Sequence, residues 1–386
     1  MESVDIAIVG GGAAGLWAAE AAASAGRSVT VFDGKPSMGR KFLVAGKGGL
    51  NLTHGESPDR FISRYSEAET FESLLSDFSP GDLRQWCEDL GQETFQASSG
   101  RIYPKALKGA PVLRAWLAKL NSLGVEFRPR HRWTACLPGN VLRFENGLEV
   151  KAKSVVFALG GASWSKTGSD GSWVETFQQM GVSCEPLKSS NCGWEVDWPE
   201  SLRDAVEGMP LKNIEVKAGG KRITGELMVT RYGLEGGGIY ALGSELRKME
   251  EPVIEIDFKP TFSEEQLVEK FGESGTDLLE RASRRWKLSE PAKEILGLEP
   301  ANSAKELAAR AKSCRITLKG PRPIDEAISS AGGVSWDELD GNLMLKKFPG
   351  IFVCGEMIDW DAPTGGYLMQ GCFATGSQAG KAASVF

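Results

Sequence analysis

An α/β fold built on a buried parallel sheet is what this 386-residue sequence predicts. Three observations predict it: a glycine-rich turn between an apolar strand and a small-residue helix at the N-terminus, a second buried strand ending in an acid, and a mid-chain apolar strand ending in a glycine pair. Residues 4–9, VDIAIV, are short and β-branched, as a strand covered on both faces requires. Gly10-Gly11-Gly12-Ala13-Ala14-Gly15 follows, then an Ala-rich helix to about residue 25 and a turn at Gly26. This is Gly-x-Gly-x-x-Gly in the strand–turn–helix frame where it has physical meaning. Gly10 permits the tight turn, Gly12 lets a pyrophosphate approach the backbone beside Ala14, and Gly15 lets helix and strand pack closely. A second strand, residues 28–32, ends in Asp33, 23 positions after Gly10, where a carboxylate can accept hydrogen bonds from ribose hydroxyls. An ordinary glycine-rich turn would need none of these companions.

The motif leaves NAD and FAD open. After Asp33-Gly34-Lys35 comes a second glycine-rich, cationic loop: Gly39-Arg40-Lys41, then residues 45–53 with Gly48, Gly49 and Asn51. A simple NAD domain has no use for such a loop, whereas a flavin does. Arg40, Lys41 and the glycine amides can hold the pyrophosphate and the edge of a flavin ring. Residues 154–159 form the mid-chain strand; Ala158, Gly160 and Gly161 at its end would pass close to the cofactor. Residues 131–137, 141–145 and 148–151 read as a three-stranded meander, with backbone near Trp133 and Thr134 meeting the adenine.

Composition narrows the chemistry. With 41% hydrophobic residues the chain can bury a large core, and its length suggests two or three domains. A net charge of −6 gives no whole-chain attraction to nucleic acid or anionic membrane. No segment has the order of a signal peptide or the roughly 18 apolar residues of a spanning helix, so a cytoplasmic protein without membrane contact is expected. Seven scattered cysteines, with no Cys-x-x-Cys pair and no His at ligand spacing, argue for reduced thiols and against a metal site.

The segments IVGGGAAGLWAA, GRKFLVAGKGGLNLT, VVFALGGASWSKTGSDG, GELMVTRYGLEGGGIYAL, AGGVSWDEL and GIFVCGEMIDWDAPTGGYLMQGCFATG, in this order, span nearly the whole chain. Together they resemble the BaiN/YhiN-like, aminoacetone-oxidase-like family of bacterial NAD(P)/FAD-dependent oxidoreductases. That resemblance implies a two-dinucleotide-binding, glutathione-reductase-like FAD fold interrupted by an inserted β-barrel-like and helical domain. It also implies non-covalent FAD, with Gly10, Gly12, Gly15, Asp33, Arg40, Lys41, Gly160, Gly161, Gly355 and Glu356 at family cofactor positions.

The C-terminal segment then acquires a role. A strand at 351–354 would carry Gly355-Glu356 to the cofactor's middle, with Asp359 a second carboxylate candidate. Gly365, Gly366, Tyr367 and Leu368 would pass the isoalloxazine, and a helix starting near Gln370-Gly371 would aim its positive end at the ring. Residues 1–185 and 322–386 are therefore expected to form the FAD domain, with a β-rich insertion at 186–260 and a helical one at 261–321. Helices are expected at 264–271, 276–286, 290–296 and 303–312, and Gly236-Gly237-Gly238 reads as an insertion loop.

No catalytic acid or base can be assigned. His54, His131 and Cys372 have structural readings as well as flavin-facing ones, and Tyr367 and Arg231 are candidate substrate contacts. The leading activity is hydride transfer between flavin and a small amine, ketone or enone, with NADH or NADPH as a transient reductant. The alternative is reduction of RNA, since the resembled family includes a ribosomal-RNA dihydrouridine synthase. Residues 281–322 carry eleven Lys/Arg against four Glu, a local net of +7 that could engage phosphates; a solvated helical face is the plainer reading of it.

Overall fold

The computed structural model describes residues 1–46, 48–272 and 277–386; Lys47 of the second glycine loop and Thr276, the expected start of one helix, lie outside them. The chain divides into two compact units, Met1–Lys188 with Ile328–Phe386, and Ser189–Ala327.

In the first unit five parallel strands lie in the order Glu126–Pro129, Val29–Asp33, Glu2–Val9, Glu149–Phe157, Ile351–Val353. Ile8 stands opposite Val31 on one side and Val156 on the other, and all three are fully buried. Continuous apolar runs are required there because both faces of these strands are covered; besides helices, the hairpin Trp133–Leu137/Val141–Phe144 packs on them, Phe144 on Phe32 and Trp133 on Phe157, each with ring centroids 4.7 Å apart. The strands expected separately at 148–151 and 154–159 are one strand, Glu149–Phe157. Its first half alternates buried and exposed and pairs antiparallel with Val141–Phe144; its second half is wholly buried and pairs parallel with Ile351–Val353. The change of burial pattern, with Lys151 and Lys153 on the outer face, breaks the sequence signal but not the strand.

Two helices brace the sheet. Ala13–Ser24 is buried around most of its circumference, and Tyr367–Val385 crosses it at very short range. A Cβ on Gly376 would lie 2.4 Å from the Ala14 carbonyl oxygen, and one on Gly380 2.4 Å from that of Ala18. Small residues at i and i+4 on both helices permit this approach. The first helix also carries a buried carboxylate, Glu20, whose oxygens accept from Trp116 Nε1 (2.7 Å), Trp86 Nε1 (3.2 Å) and Lys119 Nζ (2.6 Å). The C-terminal helix begins at Tyr367 rather than near Gln370, because Gly366 adopts a left-handed conformation (φ 101°) and turns the chain straight into it.

The second unit is an antiparallel seven-stranded sheet in the order Cys314–Thr317, Val253–Asp257, Pro210–Ala218, Lys221–Thr230, Gly233–Glu235, Trp194–Glu195, Gly320–Pro321. Its two edge strands are separated by only residues 318 and 319, a reach of about 10 Å, so the sheet must roll towards itself. Helices Glu264–Phe271, Leu278–Trp286, Glu290–Gly297 and Ala304–Lys312 lie between strands of this sheet in sequence and share its hydrophobic core. The β-rich and helical insertions therefore form one unit. Gly236 is not in a loop but caps the start of helix Gly237–Leu246, following a strand in an antiparallel setting. Among the described residues no helix is long and apolar enough to cross a membrane.

Candidate functional site

The N-terminal turn begins the site. Gly10 has φ 111°, and its N–H donates to Phe32 O (2.8 Å). A Cβ there would lie 2.2 Å from Ala158 O, so the first and mid-chain strands meet too closely for any side chain. Gly15 sits behind the turn, where a Cβ would be 1.9 Å from Gly10 O. Gly12 is different: its φ of −83° suits any residue, and nothing lies within 4 Å of its Cβ direction. It is the N-cap of Ala13–Ser24 and offers no side-chain cap, which leaves the first helical N–H groups facing open space.

Asp33 closes one end of this turn. Its carboxylate accepts from Gly11 N–H (2.8 Å) and Lys35 N–H (2.7 Å). Burial nevertheless raises its pKa above the ordinary 3.8, against the pull of those two donors. Between 3.8 and the raised value the folded chain holds a proton that the unfolded chain has released. This group's contribution to stability therefore falls as pH rises through that window and is level above it. Ribose hydroxyls donate best to the ionised form, so FAD affinity is expected to rise over the same window. Asp33→Asn should remove that pH dependence and weaken FAD about 10-fold, roughly 1.4 kcal/mol for one lost acceptor; fluorescence titration of FAD against pH checks both.

The cationic loop supplies the next wall. Helix Arg40–Ala45 brings Arg40, Lys41, Phe42 and Ala45 to a cavity of about 280 Å³. Lys41 Nζ donates to Ser163 Oγ (2.8 Å) and to Glu356 Oε2 (2.6 Å), joining three distant segments at one point. Cys354, Gly355 and Glu356 extend the wall from the strand Ile351–Val353, and Leu368, Met369 and Cys372 complete it from the C-terminal helix. Burial pushes the Cys372 thiol well up, aided by the neighbouring Glu356, so it stays protonated.

Of the residues expected at a cofactor, Gly10, Gly12, Ala14, Asp33, Gly34, Lys35, Arg40, Lys41, Trp133, Ala158, Gly160, Gly355, Glu356 and Leu368 line this one cavity. Gly15, Gly39, Gly48, Gly49, Asn51, Thr134, Gly161, Asp359, Gly366 and Tyr367 do not. Several have other duties. Thr134 Oγ1 donates to Arg143 O (3.1 Å), Gly161 packs on Ser330 Oγ, and Asp359 accepts from Gly332 N–H (3.1 Å). The Tyr367 hydroxyl donates to Glu56 Oε1 (2.6 Å), and its ring stacks on His54. Glu56 also receives Arg64, and together these donors outweigh burial and hold its carboxyl below the usual range. Arg231, in the second unit, is paired with Asp204 and Glu207.

Sequence reasoning missed Ser163 and the polar stretch 167–173. His131, Arg132, Thr167, Gly168, Ser169, Asp170, Ser172 and Trp173 line the end of the cavity that holds Asp33 or its approach. Arg132 Nη2 donates to Asp170 Oδ2 (3.1 Å) and Ser172 Oγ (3.1 Å). Burial raises Asp170, but Ser172 and Arg132 outweigh it and leave the carboxyl below its ordinary value. The run of small polar residues and glycines in TGSDGS was the available signal.

The arrangement fits FAD. Space is kept in front of Gly12, where a pyrophosphate would meet free N–H groups. On residues lining the cavity, Arg40 Nε, Ser169 Oγ and Trp133 Nε1 are buried without a hydrogen-bond partner, and such atoms call for a ligand or a shift to supply one. The lining also includes the apolar side chains of Phe42, Ala45, Leu368 and Met369, as a ring system requires.

A sequence model of the HI0933-like protein Rossmann domain matches residues 4–382. The 3-dehydro-bile acid delta(4,6)-reductase of Clostridium scindens is 28% identical over 413 aligned positions, covering 98% of both chains. A ribosomal RNA dihydrouridine synthase of Escherichia coli is 25% identical over 390 positions, covering 96% of this chain and 95% of that one. Among solved structures, a flavocytochrome c3 fumarate reductase in its open conformation superposes with a TM-score of 0.55 at 17% identity, over 100% of this chain and 78% of that one. The 3-ketosteroid-delta4-(5alpha)-dehydrogenase of Rhodococcus jostii gives 0.53 at 16% identity, over 99% and 97%. At such identities these two structures speak for the fold.

Proposed function

The chain belongs to the HI0933-like Rossmann family and is an FAD-dependent oxidoreductase, and from that premise we propose that it transfers a hydride between flavin and a small cyclic or acyclic ketone, enone or amine. One observation carries the reading: segments near residues 10, 40, 160, 355 and 370 converge on a single cavity whose lining combines an uncapped helix N-terminus with apolar side chains. Bound there, FAD supplies the two-electron chemistry. The chain's own residues bind and orient. The free N–H groups at Gly12 take the pyrophosphate, Asp33 takes ribose hydroxyls, and Phe42, Leu368 and Met369 exclude water from the ring end. Lys41 Nζ has three protons, two of which go to Ser163 and Glu356, leaving one for an acceptor in the cavity. Cys372, protonated, is no nucleophile. NADH or NADPH would dock transiently, in the cytoplasm.

The relative from Clostridium scindens, by its name a reductase of an unsaturated keto compound, supports an enone over an amine. Anaerobic mixing of photoreduced holoenzyme with an enone should restore the oxidised flavin spectrum within seconds; a flavin that stays bleached with every enone, ketone and imine tried defeats the reading.

A second reading, RNA reduction, has its own support in the relatives named ribosomal RNA dihydrouridine synthase. The basic segment lends it less than its charge suggests. Arg281, Lys293, Arg310, Lys312, Lys319 and Arg322 are spent on carbonyls or carboxylates of the same unit. Arg284, Arg285, Lys287, Lys305 and Arg315 remain with side chains that make no ion pair or hydrogen bond among the described residues. Salt-sensitive binding of structured RNA, lost in Arg284→Glu/Arg285→Glu, would favour this second reading.

A further inference from the structure

The three-stranded sheet of the first unit has one buried face and one open one. Its strands Thr53–His54, Arg101–Pro104 and Thr94–Gln96 pair so that His54 stands opposite Arg101 and Phe95 opposite Tyr103. Side chains alternate along a strand, so these four share a face. All four are partly exposed, whereas Thr53, Thr94, Ile102 and Pro104 are buried. Two stacked ring pairs stand on the open face: Phe95 with Tyr103, centroids 5.9 Å apart, and His54 with Tyr367, 5.4 Å apart. Arg101 lies between them in register, and a Cβ on Gly365 would be 3.9 Å from its Nε. Half-buried, its guanidinium makes no ion pair or hydrogen bond among the described residues. Cations around it do: Arg64 pairs with Glu56, Arg84 with Glu88 and Lys105 with Glu93. Arg is seldom withdrawn from water without a partner, and its planar fork of donors matches phosphate oxygens. His54 offers only its ring face, because Nε2–H donates to Ser99 O (3.0 Å) and Nδ1 accepts from Glu56 N–H (3.2 Å). Tyr367 directly precedes Leu368 and Met369, which line the cavity, so this face runs up to the cavity wall.

We propose that this face docks the pyridine nucleotide that reduces the flavin, with Arg101 on the pyrophosphate and Tyr103 and His54 stacked on its planar rings. This rests on the reading of the protein as a flavin-dependent oxidoreductase and gives its reductant a place. Two aromatic pairs flanking one unpaired guanidinium suit a ligand in which planar rings are joined by an anion. NADH and NADPH share that chemistry. Either one gives a hydride, two electrons and one proton, from its dihydronicotinamide C4 to the flavin and leaves as NAD+ or NADP+.

The test is anaerobic stopped-flow reduction of holoenzyme by NADH and by NADPH, in which the dependence of flavin bleaching on nucleotide concentration gives Kd. Arg101→Gln keeps a polar side chain and removes the charge. It should raise Kd at least 10-fold for whichever nucleotide bleaches the wild type, and it should flatten the dependence of Kd on salt. FAD content, Tm and bleaching by dithionite should stay as in the wild type. Arg101→Lys should recover part of the loss, and Tyr103→Leu should raise Kd about 3-fold. Equal Kd in wild type and Arg101→Gln overturns the docking site and leaves the oxidoreductase reading standing. A wild-type flavin that dithionite bleaches and neither nucleotide does has the same meaning. Binding of a uridine-rich oligonucleotide that Arg101→Gln abolishes, with nucleotide Kd unchanged, gives this face to RNA and overturns the site too. A wild-type protein that holds no flavin takes both readings down.

Discussion

Purified Gly12→Val protein is expected to be folded and colourless. Gly12 has an ordinary extended backbone, with nothing within 4 Å of where a Cβ would stand, so a valine clashes with nothing and costs the fold only a poorer N-cap, about 1 kcal/mol. Its branches would instead occupy the space where a pyrophosphate meets the helix N-terminus. Loss of those hydrogen bonds should weaken FAD at least 100-fold, about 2.8 kcal/mol, with the apo-protein Tm unchanged within about 2 °C. Gly10→Val makes the contrasting control. Its Cβ would collide with Ala158 O at a positive φ, so that variant should lose stability and cofactor together. A yellow Gly12→Val protein with stoichiometric FAD would mean that the cofactor's phosphates lie elsewhere.

Glu20→Ala should be strongly destabilising although it removes no apolar core side chain. The carboxylate satisfies two buried indole N–H groups and one ammonium, and deleting it strands all three. At about 1–3 kcal/mol for each unsatisfied buried donor, discounted for Lys119, whose side chain is 37% exposed, the expected loss is about 3–4 kcal/mol. For a chain of this length that corresponds to a Tm lower by about 4–5 °C. Glu20→Gln keeps an acceptor and should lose about half as much. Urea unfolding followed by tryptophan fluorescence reads the effect directly, since Trp86 and Trp116 are the partners; a loss under 1 kcal/mol would show that the indoles find other acceptors.

Some of this was legible in the sequence because the physics is local. Gly10, Gly15 and Asp33 announce a turn whose geometry is set within about 25 positions of chain. The cationic loop and Gly355-Glu356 were legible for their residue types, although only the fold shows Lys41 meeting Glu356. What escaped were contacts decided by distant packing. Asp359 and Tyr367 look like cofactor residues in their segment, but the Gly332 N–H donates to the first and the second donates to Glu56. Ser163, Arg132 and Asp170 gave no periodicity or charge pattern, since a polar loop resting on a cavity looks the same in sequence as one resting in water. The merged strand Glu149–Phe157 escaped for a related reason: one neighbour leaves it half exposed and the next buries it, and the pattern changes midway.

The close crossing of Ala13–Ser24 with Tyr367–Val385 has a consequence for biosynthesis. Gly376 follows Ala14 by 362 positions, so at about 5–20 residues per second the ribosome needs about 20–70 s after releasing the first helix to deliver its partner. Throughout that interval the nascent chain exposes an apolar helix and the bare edge of Glu149–Phe157, both prone to mispairing. Translational pausing between the two helices should therefore increase capture by chaperones, and the cofactor can be loaded only once residues 354–372 have been made.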